Sequence, residues 1–469
     1  QAQALSPLAP GPRRLQRPVV MPCADWGEQP GSRLGLDIGG TLAKLVYFES
    51  ELTPCWSDGR IAKVVKDLAA IRSPEQGLLD DELSFVDKQL GGQLHFACFP
   101  TEAMDKFVDL VEKRELHLGA HGINEIITTG GGAHKYAPLF RERLGVELRP
   151  VDELGTVVQG ISWMVDRRPA WDKVCFLDCP SPSDTETSST SASSSSPSAA
   201  CRTAKATAMA TPPRQIIEVG SKALFPFLLV NIGTGVSVVR VDGLDSFERV
   251  GGSAIGGGTF WGLCKLLCPD CEGFDEAGRL AEQGDASAVN LLVEDIYGGD
   301  YELPNGSKIP GSITASFFAK AAAARGGSAG DADGARRPCS DASILQALVK
   351  MVSASICQTA YLNAKLHGLQ RIVFTGNFLR QNAVARQAIS ENMQRVSKAH
   401  PNGEPYRALF LEHEGFFGAL GSFLFNVQEN GVEAAPIFRR CPSREVAGDA
   451  ARAPTRQAPE PPGHGGGGR

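Results

Sequence analysis

Short apolar runs, many of them ending in glycine-rich turns, recur along the chain and predict most of its strands. Two of these runs form hairpins, LGLDIGGTLAKLVYFE at 34–49 and PFLLVNIGTGVSVVRV at 226–241. In both hairpins, strand-forming residues lie on either side of a tight Gly/Thr/Ser turn. Further strands are predicted within 94–99, 124–136 and 371–380.

Helices are predicted between these strands. Their predicted bounds are 101–115, 137–144 and 152–166 in the first half of the chain and 275–284, 286–297 and 342–367 in the second. A glycine-dense loop within 248–267 enters another helix, and 408–425 reads as a strand followed by an apolar helix. A hairpin followed by alternating helices and strands therefore occurs twice, which indicates a duplicated α/β fold.

Segments rich in Pro, Gly, Ser and Thr divide the chain, because they hold too few apolar residues to pack. We predict a disordered leader at 1–32, a low-complexity insertion at 179–221, a disordered insertion at 325–340 and a disordered tail at 429–469. Two globular lobes are predicted between them, the first at 33–178 and the second at 222–428.

The overall composition is that of an ordinary globular enzyme, with 42% hydrophobic and 21% charged residues among 469. The net charge of -6 gives no electrostatic footprint for nucleic acid or an anionic membrane. The 12 cysteines are scattered through a long chain, which favours a reducing compartment. Cys268 and Cys271 have a spacing found in zinc sites, but no second ligand pair follows, so ordinary thiols are the preferred interpretation.

The leader leaves the compartment open. It contains Arg13, Arg14 and Arg17 and has no acidic residue before Asp25, a bias found in transit peptides. A plain disordered leader is the preferred interpretation, and with it a cytoplasmic location.

The first glycine turn is a candidate phosphate site. Glycine lets main-chain N–H groups approach anionic oxygens, which fits Gly39 and Gly40, with Thr41 beside them. Asp37 at the strand end is suited to Mg²⁺, and Lys44 is suited to a phosphate group. A hairpin with no ligand is the alternative.

The second turn repeats this chemistry with Asn231, Thr234 and Ser237. Neither turn has the Gly-Lys-Ser/Thr order of a P-loop, and no turn has the acidic residue of a dinucleotide fingerprint. Four glycine turns, each after an apolar strand, together indicate a nucleotide-binding protein.

Two charged residues, Glu153 and Arg249, each have a structural and a functional interpretation. Glu153, where a strand passes into a helix, is either a partner of the helix dipole or a general base for phosphoryl transfer. Arg249, just before the glycine-dense loop, is either a solvated strand-end charge or a fork for a carboxylate.

With these segments in place, the chain resembles the eukaryotic-type (type II) pantothenate kinases of the acetate and sugar kinase/Hsc70/actin superfamily. The resemblance covers most of 33–427. It rests on DIGGTLAKLVYFE, TGGGAHKY, DELGTVVQG, LLVNIGTGVSV, ERVGGSAIGGGTFWGL, EDIYGGDY, TGNFLR and ALFLEHEGFFGALG. It implies a duplicated ribonuclease H-like (actin-like ATPase) fold with a nucleotide cleft between two lobes.

The resemblance also implies an activity. The family transfers the γ-phosphate of ATP, with Mg²⁺, to the terminal hydroxyl of pantothenate, the first step of coenzyme A synthesis. Its members are homodimers and are commonly inhibited by acyl-CoA. The alternatives are a catalytically inactive relative acting as a regulator or heteromer subunit, and another small-molecule kinase of the superfamily.

Residue roles follow from the same resemblance. Glu153 matches the catalytic base, and Arg249 matches the arginine that holds the pantothenate carboxylate. Thr234 and Ser237 match hydroxyls that contact pantothenate or acyl-CoA. Tyr297 and Tyr301 match tyrosines that line the substrate pocket across the dimer. The residues that match the nucleotide site are Gly39, Gly40, Thr41, Lys44, Gly376 and Asn377, and Asp37, from its place at the strand end, is the predicted metal ligand of that site.

Overall fold

The computed structural model describes residues 34–50, 83–88, 90–113, 124–167, 174–177, 214–217, 224–323, 339–398 and 405–429. The predicted leader, and nearly all of the predicted tail and of the 325–340 insertion, lie outside these residues. The 179–221 insertion is described only at 214–217, where a short strand forms.

The described strands, numbered in chain order, are β1 Leu34–Ile38, β2 Leu42–Ser50, β3 Phe85–Asp87, β4 Gly92–Pro100, β5 Glu125–Thr129, β6 Glu147–Pro150, β7 Val174–Leu177, β8 Arg214–Ile217, β9 Phe227–Ile232, β10 Val236–Gly243, β11 Ser246–Ser253, β12 Leu291–Leu292, β13 Tyr301–Glu302, β14 Lys308–Ile309, β15 Thr314–Ser316, β16 Arg371–Thr375 and β17 Arg407–Leu409.

The described helices are α1 Met104–Lys113, α2 Gly132–Leu144, α3 Glu153–Arg167, α4 Gly257–Leu267, α5 Phe274–Glu282, α6 Val293–Tyr297, α7 Ala319–Ala323, α8 Asp341–His367, α9 Ala383–Lys398 and α10 Phe417–Glu429. Short 3-10 turns at Thr101–Ala103 and Ala286–Ala288 complete the set of described elements.

Two larger sheets share one topology. The first has the order β3-β4-β2-β1-β5-β6, and the second has the order β11-β10-β9-β16-β17. In each sheet, the opening hairpin pairs antiparallel, and a strand from later in the chain pairs parallel with the hairpin's first strand. A further parallel strand follows at that edge. The predicted duplicated ribonuclease H-like fold is confirmed by this repeat.

Three predicted elements differ from the structure. Helix α2 begins at Gly132 and not at 137, so the glycine turn forms the first turn of the helix. The predicted helix at 286–297 is divided into a 3-10 turn, strand β12 and the short α6. The start of the predicted 248–267 loop belongs to β11, because its glycines pair with β10 as an edge strand.

The core has three main clusters. One lies in each half of the molecule, and the third contains residues of both sheets, such as Phe48 and Phe227, together with Phe423 of α10. Close packing at glycines holds α10 in this shared cluster. A Cβ on Gly35 would lie 2.7 Å from Cβ of Phe423, and a Cβ on Gly421 would lie 2.5 Å from the carbonyl carbon of Thr156. Strand β1 and helix α3 therefore both contact α10 directly.

Cys264, Cys268 and Cys271 are buried in the core cluster of the second half. Burial raises the pKa of Cys264 to about 12. These thiols pack among the apolar core residues. Across the described ranges, no helix is long and apolar enough to cross a membrane.

Candidate active site

The turns of the two hairpins meet in one cleft of about 330 Å³. Both turns contribute backbone and side chains to its wall, and the opening residues of α3 and α10 complete it. The lining residues are Asp37, Gly39, Gly40, Lys44, Gly130, Gly131, Glu153, Val157, Asn231, Gly233, Thr234, Gly235, Val236, Ser237, Arg249, Ser253, Thr375, Gly376, Asn377, Glu414, Gly415, Phe417 and Gly418. A cavity of this size suits a small-molecule ligand.

An ion pair marks the first turn. Asp37 on β1 and Lys44 on β2 are cross-strand partners, and Lys44 Nζ donates to Asp37 Oδ2 at 3.0 Å. Both side chains are largely buried, with 13% and 14% exposed. The Asp37 carboxylate lies between two glycines: a Cβ on Gly130 would lie 2.8 Å from Oδ1, and a Cβ on Gly418 would lie 3.0 Å from Oδ2.

The second turn is held by the first turn of α4. The N–H groups of Gly257 and Gly258 donate to the carbonyls of Gly233 and Thr234, both at 2.9 Å. A Cβ on Gly258 would lie 2.6 Å from Cγ2 of Thr234, so this approach requires glycine. Across the cleft, a Cβ on Gly40 would lie 3.1 Å from Oγ1 of Thr234, which places the two turns against each other.

A glycine with positive φ follows the corresponding parallel strand in each sheet. Gly130 follows β5 with φ of 84°, and Gly376 follows β16 with φ of 109°. Only glycine adopts such backbone readily, and both residues line the cleft. The N–H of Gly376 donates to the carbonyl of Glu414 at 2.8 Å, which joins the β16 turn to the loop before α10.

Glu153 is the first residue of α3 and faces the cleft from the first half of the chain. Asp152 precedes it, and its Oδ2 accepts the Gly155 N–H at 2.5 Å, which caps the helix. Glu153 is solvent-accessible, yet the protein around it raises the pKa of its carboxyl. Partial desolvation is the largest cause, the charges of Asp37 and Asp152 add to it, and Lys44 opposes it.

Ser237 and Arg249 face the same space from the second half. Ser237 is on β10 beside the Gly252 position of β11, and Arg249 lies one bulge further along β11. A Cβ on Gly252 would lie 2.7 Å from Nη2 of Arg249, so glycine here leaves room for the guanidinium. This arrangement presents a hydroxyl and a planar cation to a ligand in the cleft.

The family model described as Fumble matches residues 33–425, which is most of the chain. The chain belongs to the Fumble family. Pantothenate kinase 2 of Oryza sativa subsp. japonica is 35% identical over 416 residues, covering 86% of this chain and 39% of that protein. Pantothenate kinase 1 of Arabidopsis thaliana is 34% identical, covering 84% of this chain and 85% of that protein.

A third relative is named as a phosphatase and not as a kinase. The 4'-phosphopantetheine phosphatase of Mus musculus is 32% identical, covering 85% of this chain and 41% of that protein. The chain thus spans about two fifths of the length of the rice and mouse relatives.

Ten of the residues that the sequence predicted as site residues line the cleft of the Fumble chain. They are Asp37, Gly39, Gly40, Lys44, Glu153, Thr234, Ser237, Arg249, Gly376 and Asn377. Thr41 is in the first turn but does not line the cleft. Tyr297 and Tyr301 stack on each other, with ring centroids 4.1 Å apart, away from the cleft of this chain.

Sequence reasoning missed Glu414 as a site residue. Its side chain is 4% exposed and accepts from Arg386 Nη1 at 3.0 Å, and it lines the cleft beside Gly415. The segment that contains it, ALFLEHEGFFGALG, carried a signal, namely an acidic residue before an apolar glycine-containing helix. Without the fold, nothing in the sequence placed that segment opposite the β16 turn.

The residues around Asp37 fit a magnesium ion. Mg²⁺ commonly binds proteins through one or two carboxylates and takes its other ligands from water and substrate phosphates. Asp37, beside the glycine backbone of both Gly39 and Gly130, is such a carboxylate. Within the described residues, no group of three or more His, Cys, Asp or Glu side chains forms an all-protein metal site.

Proposed function

We propose that the protein transfers the γ-phosphate of ATP to pantothenate, producing 4'-phosphopantothenate in the first step of coenzyme A synthesis. The observation that supports this best is the meeting of three chemistries in one cleft. A carboxylate with a raised pKa, Glu153, lies with the Asp37–Lys44 pair and with the Ser237–Arg249 pair. Two pantothenate kinases among the relatives agree with this assignment.

Glu153 acts as the general base in this proposal. A hydroxyl is a weak nucleophile, so a carboxylate that accepts its proton helps as the bond to phosphorus forms. The raised pKa of Glu153 makes it a stronger base than an ordinary glutamate. Its position at the start of a capped helix fixes it relative to both turns.

Arg249 and Ser237 hold the acceptor. Pantothenate carries a carboxylate at one end and the reacting hydroxyl at the other. A guanidinium binds a carboxylate through two parallel hydrogen bonds, which fixes the direction of the molecule as well as its position. Thr234 is a second hydroxyl predicted to contact pantothenate, and it lies where the two turns meet.

The first turn, Lys44 and the β16 turn hold the nucleotide. The backbone N–H of Gly40 and the Lys44 ammonium are suited to phosphate oxygens, whereas the Gly39 N–H closes the turn by donating to the Leu42 carbonyl at 2.9 Å. Asp37 would hold Mg²⁺, which neutralises phosphate charge when it is bound. Gly376 and Asn377 close the other side of the site.

A homodimer and inhibition by acyl-CoA belong to the same proposal, together with a cytoplasmic location. Leu266 on α4 and Leu366 on α8 are each 78% exposed, and Leu362 on α8 is 52% exposed. In this proposal these leucines, which lie on two contacting helices, belong to the dimer interface. Tyr297, 55% exposed and stacked on Tyr301, would then be available to a partner subunit's cleft.

The test is direct phosphorylation. The purified chain is incubated with ATP, Mg²⁺ and either pantothenate or N-acetylglucosamine, and the phosphorylated product is measured. We expect product from pantothenate alone. Turnover of the sugar instead would favour another kinase of the superfamily, and MgATP binding without any turnover would favour an inactive family member.

The variant Glu153→Gln separates chemistry from binding. It keeps the size and cleft contacts of the side chain but cannot take a proton, so turnover should be lost while MgATP binding persists. Near-wild-type turnover would remove Glu153 from the role of base.

A further inference from the structure

Thr101 forms two hydrogen bonds to the first glycine turn. It follows β4 directly, and its N–H donates to the Thr41 carbonyl at 2.9 Å. Its hydroxyl donates to the Gly39 carbonyl at 3.3 Å. Thr101 is only 4% exposed, so both donor groups belong to a buried residue. One buried residue therefore binds two carbonyls of the turn that spans 39–41.

The bond to the Gly39 carbonyl orients the peptide group between Gly39 and Gly40. In a trans peptide the C=O and the following N–H point in opposite directions. Because the Gly39 carbonyl is directed to Thr101, the N–H of Gly40 points away from Thr101. Gly40 lines the cleft, which makes its N–H the candidate donor of this turn to a ligand phosphate.

Thr101 is in turn hydrogen-bonded to helix α2, which begins at a second wall of the cleft. The hydroxyl of Tyr136, on α2, donates to the Thr101 carbonyl at 3.1 Å. The first turn of α2 follows Gly130 and Gly131, which also line the cleft. A chain of hydrogen bonds through Tyr136 and Thr101 thus connects α2 with the first glycine turn.

The second glycine turn is held differently. Its carbonyls at Gly233 and Thr234 accept from backbone N–H groups of α4. Side-chain replacement leaves those donors in place, whereas the hydroxyls of Thr101 and Tyr136 can be removed singly. The two turns therefore differ in their sensitivity to hydroxyl deletion.

We propose that Thr101 is a positioning residue for the nucleotide, holding the first glycine turn so that the Gly40 N–H faces the phosphates, with Tyr136 supporting it. This inference rests on the proposed function, since it takes the first turn as the nucleotide side of a kinase cleft. It assigns to Thr101 an effect on nucleotide binding that is separate from acceptor binding.

The test compares hydroxyl deletions in the full chain. Thr101→Val keeps the branched shape and the N–H but lacks the hydroxyl, and Thr101→Ser restores the hydroxyl. Tyr136→Phe removes the supporting bond with the ring retained. Thr359→Val is the matched control, because that hydroxyl, on α8, donates within its own helix, to Ser355 O at 3.0 Å. The readouts are the Kd for MgATP without acceptor, both KM values and the unfolding temperature.

We expect Thr101→Val to raise the Kd for MgATP about threefold to tenfold, the effect of losing one net hydrogen bond. The KM for pantothenate and the Thr359→Val control should stay near wild type, and Thr101→Ser should recover most of the affinity. Tyr136→Phe should show a smaller rise. Because the residues belong to one chain of bonds, the double variant should show less than the product of the single effects.

Several results would overturn the inference. They are an unchanged MgATP Kd in Thr101→Val, equal rises for nucleotide and pantothenate, or Thr101→Ser no better than Thr101→Val. If Thr101→Val fails to fold, Tyr136→Phe decides, and an unchanged Kd there refutes the support. Wild-type protein that binds MgATP but leaves pantothenate unphosphorylated would refute the proposed substrate, and the Kd series would still decide the role of Thr101. Failure of wild type to bind MgATP would refute both.

Discussion

Replacing Gly376 by alanine tests whether the β16 turn has its shape because only glycine fits there. The residue has φ of 109°, and a Cβ would overlap the Ile232 carbonyl oxygen and lie 2.6 Å from its carbonyl carbon. A side chain in such backbone costs about 1–3 kcal/mol, and overpacking adds about 1–3 kcal/mol. We therefore expect Gly376→Ala to lower the free energy of unfolding by about 2–6 kcal/mol.

A matched control separates the two contributions. Gly145, the C-cap of α2, has φ of 64°, and no other group lies within 4 Å of the position that a Cβ would take there. Gly145→Ala therefore carries only the backbone cost of about 1–2 kcal/mol. Urea unfolding of both variants measures the difference, and MgATP titration follows the site. If Gly376→Ala destabilises the protein no more than Gly145→Ala, the steric reasoning is wrong. Full MgATP affinity in a folded Gly376→Ala would remove the β16 turn from the nucleotide site.

Three further predictions concern the base, the acceptor and the interface. Because Glu153 has a raised pKa and must be ionised to accept a proton, kcat/KM should fall as pH drops through a value above the usual glutamate pKa of about 4.3. Asp152→Asn keeps a capping side chain but removes a charge that raises this pKa, so a pH–rate profile should show the inflection at lower pH; an upward shift would contradict the assignment. Arg249→Ala should raise the KM for pantothenate about tenfold or more and that for ATP little, as steady-state kinetics would show; equal rises would argue against a carboxylate anchor. If the proposed dimer uses this face, Leu366→Asp, at a residue 78% exposed, should lower the sedimentation coefficient to that of a monomer with little change in unfolding temperature, and an unchanged coefficient would contradict this interface.

The sequence predicted the parts of this fold that local pattern determines. Both hairpins and the long helix α8 were evident, because alternation and helical spacing are local properties. The strand β11 was not, since its glycines read as loop and pair with β10 only in the folded sheet. The role of Glu414 was hidden for a similar reason. Its contacts with Arg386 and Gly376 join segments that are 28 and 38 residues away, and no local pattern encodes such contacts.

The repeated topology also shows where the two halves differ in chemistry. Asp37 on β1 pairs in register with Thr129 on β5, and Asn231 on β9 pairs in register with Thr375 on β16. The two positions are equivalent in the duplicated fold, yet one holds a carboxylate and the other a neutral amide. A carboxylate beside Lys44 is suited to a cation and its phosphates. An amide adds no negative charge on the side where, in the proposed function, Arg249 attracts the carboxylate of pantothenate. The difference in charge between Asp37 and Asn231, at equivalent positions, thus favours the first turn for MgATP and the second turn for an anionic acceptor.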